Sequence, residues 1–260
     1  MPLHSDFLTV PLAHRGLHDL ARGRPENSVA AFRAALDAGY GIELDVQVSR
    51  DGEAMVFHDE ELERLTAETG PVNLRSAAQL SAIPLRGATE GIPTLMEVLD
   101  LVDGRCPVLI EIKDQSGDLG TSEGALERAV LSALSTYEGP AAVMSFNPHP
   151  IAAIRDAAPE IAAGLVTDDF NDPAWGFVPA ARRAALQDLK DTEALGLEFI
   201  SHNRSDLDNP AVARLKKHGL AILCWTIRSE TEEAEARRIV DNITFEGYAA
   251  KLPDRRDGGA

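Results

Sequence analysis

Positive charge is scarce in this chain. Its 25 Lys and Arg face 42 Asp and Glu, giving a formal net charge of −17 over 260 residues and a pI near 4.8. A field of that sign argues against nucleic acid and anionic membrane as partners. It repels an anionic small substrate as well, so a site for one needs its own local cations. Aromatic residues are also few, at 5%, so with 44% hydrophobic residues the core must be built largely from Ala, Leu, Ile and Val. There are two cysteines, Cys106 and Cys224, each inside an apolar strand-like run where a reduced, buried thiol is the expectation. No apolar run approaches the roughly 20 residues of a membrane span. Met1–Thr9 has neither a basic cluster nor an apolar stretch of signal-peptide length. The expectation is a soluble, cytoplasmic protein.

What is present starts with Gly41-Ile42-Glu43-Leu44-Asp45-Val46. Apolar and acidic residues alternate strictly, so in a strand both carboxylates share one face and the aliphatics the other. The run lies between two helix-like segments, as a parallel strand covered on its outer face would. Glu43 and Asp45 would then point into a barrel or crevice. Two carboxylates in a dry interior are costly unless a cation joins them. Oxygen-only ligation points to a hard divalent ion, Mg²⁺ or Ca²⁺, with Mn²⁺ also possible. An exposed edge strand is the alternative reading.

Around this run the chain alternates. Val10-Pro11-Leu12-Ala13 leads to His14-Arg15-Gly16, and helical spacing follows over 28–38 with Asn27 as its expected N-cap. Arg50-Asp51-Gly52-Glu53 is turn chemistry, which makes 42–49 and 54–57 a hairpin ending in His58-Asp59. Residues 60–93, punctuated by Gly and Pro, read as an excursion on a barrel rim. Thr94 and Glu97 have capping-box spacing at the head of a helix to Val102.

From there strands at 108–113, 141–146, 164–167, 199–202, 221–227 and 242–246 alternate with helices at roughly 122–136, 148–157, 180–194, 210–218 and 230–240. With 12–14 and 42–48 that makes eight parallel strands, the pattern of an α/β (β/α)₈ TIM barrel with a small excursion after the second strand, about residues 50–93. A doubly wound sheet is the alternative, but no Gly-rich fingerprint follows the first strand. The expected domain is a single barrel over 1–252, with a disordered tail over 253–260.

In such barrels the reactive groups stand at the C-terminal strand ends. Those ends carry His14 and Arg15, Glu43 and Asp45, His58, Glu111 and Lys113, and Trp225. Three acids, two histidines, an Arg and a Lys converge on one mouth. Each alone has an ordinary structural reading, and Trp225 could be core. Glu26 could anchor Arg15 or be a solvated acid; Asn27 could reach the acids instead of capping a helix. His149 and His202 read as surface loop histidines, and His4, His18 and His218 as solvent-exposed.

The same residues carry a family resemblance. Ala13-His14-Arg15-Gly16, Pro25-Glu26-Asn27-Ser28, Ile42-Glu43-Leu44-Asp45-Val46, Arg50-Asp51-Gly52, Val56-Phe57-His58-Asp59, Ile92-Pro93-Thr94-Leu95, Glu111-Ile112-Lys113 and Cys224-Trp225-Thr226-Ile227 resemble, in order, the glycerophosphodiester phosphodiesterase family. The resemblance implies Glu43, Asp45 and Glu111 as metal ligands and His14 and His58 as the acid–base pair. It implies Arg15 and Lys113 on the phosphate and Trp225 against the glycerol. The sequence departs from the family at Ile243-Thr244-Phe245-Glu246-Gly247, where many members have an Ile-Thr-Asp run, which puts the rim at the last strand in question.

The implied reaction is metal-dependent hydrolysis of a glycerophosphodiester, a small-molecule substrate, to glycerol 3-phosphate and an alcohol. Cations would neutralise the non-bridging oxygens and stabilise the transition state. One imidazole would take a proton from the attacking oxygen while the other protonates the leaving alkoxide. The attacker is water or the glycerol 2-hydroxyl; His14 is favoured as base and His58 as acid. The alternatives are a phospholipase-like lyase on lipid head groups, a metal-dependent enzyme forming an enolate, and a barrel that binds without turnover.

Overall fold

The structure is a computed structural model and describes residues 2–253; apart from Pro253, the tail expected to be disordered lies outside them. Nine strands are present among these residues: β1 Leu12–Ala13, β2 Gly41–Val48, β3 Ala54–Val56, β4 Val108–Ile112, β5 Ala141–Ser145, β6 Ala162–Thr167, β7 Phe199–Asn203, β8 Ala221–Ile227 and β9 Asn242–Phe245. All but β3 are parallel, in the order β1-β9-β8-β7-β6-β5-β4-β2, and β1 also pairs with β2, so the ring closes. This is the expected eight-stranded TIM barrel. β3 lies outside the ring and pairs antiparallel with the end of β2, Val46 opposite Val56, as the hairpin turn at 50–53 requires.

Alternation along the strands sorts two cores. Ile42, Leu44, Val46, Val108, Ile110 and Ile112 point outward into a layer shared with Phe32, Leu95, Leu99, Leu126 and Val130 of the surrounding helices. Leu12, Leu109, Ala142, Met144, Val166, Phe199 and Leu223 fill the barrel interior, and Phe7 of the short helix Asp6–Thr9 packs with them. With so few aromatics, Phe199 is the large interior filler, and it fits because its neighbour on β6 is Gly164, where an added Cβ would sit 2.5 Å from the Phe199 ring.

Helices Val29–Ala38, Leu95–Val102, Ala125–Leu134, Pro148–Ala157, Pro210–Lys217 and Glu230–Ala236 connect the strands. The capping box of Thr94 and Glu97 is formed in both directions. Two expectations are corrected. The helix expected over 180–194 is two, Ala180–Gln187 and Lys190–Ala194, because Leu189 takes a left-handed conformation that buries its side chain. Asn27 does not cap its helix: it is itself left-handed, and Ser28 is the cap, accepting from the Ala31 amide at 3.1 Å. The excursion has its own small core of Met55, Phe57, Leu62, Val72, Leu80, Leu85 and Ile92. Gly91 there admits no side chain, since a Cβ would lie 1.9 Å from the Ser81 carbonyl oxygen.

Candidate active site

β2 and β4 set the centre of the site. Their register places Asp45 directly beside Glu111, and strand alternation puts Glu43 on the same inward face one rung deeper. All three carboxylates are buried, and one oxygen from each lies within 4.8 Å of the others. Burial, followed by the fields of Asp45 and Glu111, pushes Glu43 well above the ordinary carboxyl range. Burial acts the same way on Asp45, but the fields of Lys113, His58, Arg15 and His14 outweigh it and hold Asp45 well below that range.

The cations surround this cluster. Lys113 Nζ donates to Glu111 Oε1 at 2.8 Å and lies 3.3 Å from Asp45 Oδ1. Burial disfavours its ammonium, but Glu111 and Asp45 more than restore it and raise its pKa. The Arg15 backbone is left-handed, which turns its amide onto Glu43 Oε2 at 3.0 Å and its guanidinium toward Glu26 Oε1 at 2.6 Å. Its Nε is 3.4 Å from Asp45 Oδ2. Asn27, also left-handed, donates its side-chain amide to Asp45 Oδ2 at 2.9 Å. Asp45 Oδ1 and Arg15 Nε are both buried without a hydrogen-bond partner. An unsatisfied carboxylate oxygen inside an all-oxygen donor set fits a hard divalent cation; an unsatisfied guanidinium donor beside it fits an anionic oxygen. The triad Glu43, Asp45 and Glu111 could thus hold a metal ion.

Both expected histidines lie at this mouth, and each is held at Nδ1 by a carboxylate. His14 Nδ1 is 2.6 Å from Glu246 Oε2, and His58 Nδ1 is 2.7 Å from Asp59 Oδ1. A carboxylate partner selects the tautomer with its proton on Nδ1, leaving the Nε2 lone pair free on a neutral ring. Burial lowers the pKa of His14 and favours that neutral ring, with Glu246 opposing. Burial raises Asp59, but its bonds from His58 and Arg64 win and lower it.

Arg64, from the excursion, chelates Asp59 through Nε and Nη2 at 2.6 and 2.8 Å and reaches both oxygens of Glu26 at 2.8 Å. One guanidinium thereby ties the partner of His58 to the partner of Arg15. Trp225 donates Nε1 to the Ser201 carbonyl at 3.0 Å and lines, with His58, Glu111 and Lys113, a cavity of about 560 Å³.

The other histidine expectations can be checked individually. His149 and His218 are exposed, as expected. His202 is not a surface residue: it is 0% exposed, bonded to Thr167 Oγ1 at 2.8 Å and to Asp206. Nor is His18 solvent-exposed as expected: it is half-buried, 3.6 Å from Glu246 Oε2. Glu246, Asp59 and Arg64 went unassigned in the sequence. The only signal for Glu246 was that it falls where the chain departs from its resemblance.

The family model for the glycerophosphoryl diester phosphodiesterase family matches residues 14–244. A glycerophosphodiester phosphodiesterase of Caldanaerobacter subterraneus subsp. tengcongensis is 30% identical over 261 residues, covering 96% of this chain and 99% of that one. Another glycerophosphodiester phosphodiesterase, from Bacillus altitudinis, is 34% identical over 198 residues, or 69% of this chain and 78% of that one. Among solved structures, an Oleispira antarctica phosphodiesterase in complex with the product sn-glycerol-3-phosphate superposes with a TM-score of 0.73 at 25% identity, covering 91% of this chain and 93% of that one. With its motif residues gathered at one barrel mouth and residues 14–244 matched, the chain belongs to the glycerophosphoryl diester phosphodiesterase family.

Proposed function

We propose that the protein hydrolyses glycerophosphodiesters to glycerol 3-phosphate and an alcohol. One observation carries the reading: three buried carboxylates within 4.8 Å of one another share a mouth with Arg15, Lys113 and two imidazoles braced by carboxylates. The product bound in the Oleispira antarctica relative supports the same substrate class.

Glu43, Asp45 and Glu111 would hold a divalent cation, Mg²⁺ or Ca²⁺, with Mn²⁺ as a substitute. Bound there, such a cation would supply positive charge to offset the negative charge of the phosphate. Arg15, whose Nε makes no hydrogen bond, and Lys113 bind the non-bridging phosphate oxygens and meet the charge that develops in the transition state. His14, kept neutral by burial and tautomerically fixed by Glu246, accepts the proton of the attacking hydroxyl at Nε2. His58, held by Asp59, delivers a proton to the leaving alkoxide. The attacking hydroxyl is that of water or of the glycerol C2. Trp225 packs against the glycerol carbons.

Among the described residues no helix is long and apolar enough to cross a membrane. The two free, buried thiols support a reducing compartment, the cytoplasm. The test is direct: glycerol 3-phosphate released from a panel of glycerophosphodiesters with Mg²⁺, Mn²⁺ or Ca²⁺. Release of inorganic phosphate or of an enolate-derived product instead would overturn the assignment.

A further inference from the structure

Aromatic residues are rare in this chain, yet both of its tryptophans and two of its eight phenylalanines form one strip at the barrel mouth. Trp225, Phe146, Trp175 and Phe177 follow one another with ring centroids 5.6, 5.0 and 5.9 Å apart. The first two come from strand ends. The second two come from a single 3₁₀ turn, Pro173–Phe177. Trp175 is fixed in place: its Nε1 donates to Asp168 Oδ2 at 2.9 Å, and Asp168 in turn accepts from Asn203 at 2.9 Å. Phe177, at the outer end, is 56% exposed. Joined to the other three rings, it extends a contiguous aromatic surface to the lip of a polar active site, unlike a singly scattered apolar side chain.

The strip forms one wall of the same cavity that contains His58, Glu111 and Lys113, so it begins at the phosphate-binding end and runs outward. The same cavity is also lined by Glu60 and Glu61, exposed acids whose carboxylates accept no hydrogen bond and join no ion pair among the described residues. Aromatic faces carry negative quadrupole charge, and so both the rings and the free carboxylates present negative potential to whatever occupies the space.

We infer that this outer lobe is a subsite for the leaving alcohol and that it takes a quaternary ammonium group, as in a choline ester. The inference rests on the proposed phosphodiesterase reading. An uncharged alkyl alcohol would use the rings but leave the carboxylates facing apolar surface. An inositol would use the carboxylates and waste the rings. A primary ammonium demands three hydrogen-bond acceptors, which ring faces supply poorly. A quaternary ammonium has no N–H to satisfy, packs its methyls on ring faces and keeps its charge near Glu60 and Glu61. Such a zwitterionic diester is also neutral overall, and it escapes the repulsion that a −17 protein exerts on an anion.

The experiment compares glycerophosphocholine with the isostere whose alcohol lacks the cationic nitrogen, the 3,3-dimethylbutyl ester of glycerol 3-phosphate, and with glycerophosphoethanolamine, which like the choline ester is neutral overall. The choline ester should be favoured in kcat/KM by about 5–30-fold over the isostere, the range that cation–π contacts supply. In Trp175→Leu and Phe177→Leu that ratio should fall toward one. Equal rates for choline and isostere, or equal rates for choline and ethanolamine esters, would overturn the subsite. Free choline chloride, titrated against tryptophan fluorescence, reads the subsite without turnover. Saturable quenching lost in Phe177→Leu supports it even if no diester is hydrolysed, a result that would sink the enzymatic reading alone. A protein that hydrolyses diesters but shows no choline quenching and no preference would sink the subsite alone.

Discussion

His14 and Glu246 are 232 residues apart in the chain, yet His14 Nδ1 lies 2.6 Å from Glu246 Oε2. The contact spans the seam where the first and last strands pair and the barrel closes, Ala13 beside Phe245. Arg228 Nε holds the other oxygen of Glu246 at 2.8 Å, so the carboxylate is itself oriented. The bond from His14 is the chief reason Glu246 stays ionised well below the usual range.

Replacing Glu246 therefore tests whether His14 moves a proton. Glu246→Gln keeps the shape but removes the charge that favours an imidazolium. Its kcat should fall by less than the loss in His14→Ala, which for an acid–base imidazole is about 10²–10⁴-fold. The acid limb of its kcat/KM profile should move to lower pH, since His14 becomes harder to protonate. An unmoved limb would show that His14 is not the titrating base.

The two imidazoles can be separated by leaving group. His14→Ala and His58→Ala should each lose about 10²–10⁴-fold on a glycerol diester while melting normally. A p-nitrophenyl ester leaves without protonation, so it should largely rescue His58→Ala and not His14→Ala. Rescue of His14→Ala instead would exchange their roles, and equal losses on both substrates would mean that they only position phosphate.

The carboxylate triad should respond to chelation. EDTA should abolish turnover and Mg²⁺, Mn²⁺ or Ca²⁺ restore it. A divalent ion at 100 times its Kd should raise Tm by roughly 5–10 °C for a protein of this size. In Glu43→Gln that increment should shrink. Full activity in chelator would remove the metal from the reaction.

His202 predicts a pH dependence of stability. Burial is the largest influence on it and lowers its pKa, although Asp206 opposes. The unfolded chain therefore takes the proton first. Its contribution to stability is present above the unfolded value of 6.5 and is lost as pH falls from there through the folded pKa. Between pH 7.5 and 5.5 the Tm of wild type should fall more steeply than that of His202→Gln, whatever their absolute difference. Parallel slopes would disprove it.

The thiols supply a check on the fold itself. Burial pushes both Cys106 and Cys224 up to about 12. Neither should react with a thiol reagent at pH 8 in the native state, and both should react in denaturant. Rapid native labelling of either would place that residue outside the core.

Local patterns alone made much of this protein legible. Strict alternation in Gly41–Val46 and again in Glu111-Ile112-Lys113 assigned four charged groups to one face, because a strand's period of two is a property of its own backbone. Turn chemistry at 50–53 and the capping box at Thr94 were readable for the same reason. Where the local signal was ambiguous, as for Asn27, the residue's neighbour Ser28 took the cap and Asn27 turned its amide to Asp45.

The tertiary structure alone decided which partners meet. No periodicity links His14 to Glu246, Arg64 to both Glu26 and Asp59, or Trp175 to Phe146. Those contacts depend on the register between strands, on barrel closure and on how the excursion folds over the mouth. His202 shows the same boundary from the other side: its sequence position is a strand end, yet Thr167 on the neighbouring β6 and Asp206 beyond β7 enclose it. Sequence pattern determines which way a side chain points from its own element. What it points at is set by packing between elements far apart in the chain, and that is where this site acquires its carboxylate-braced histidines and its aromatic wall.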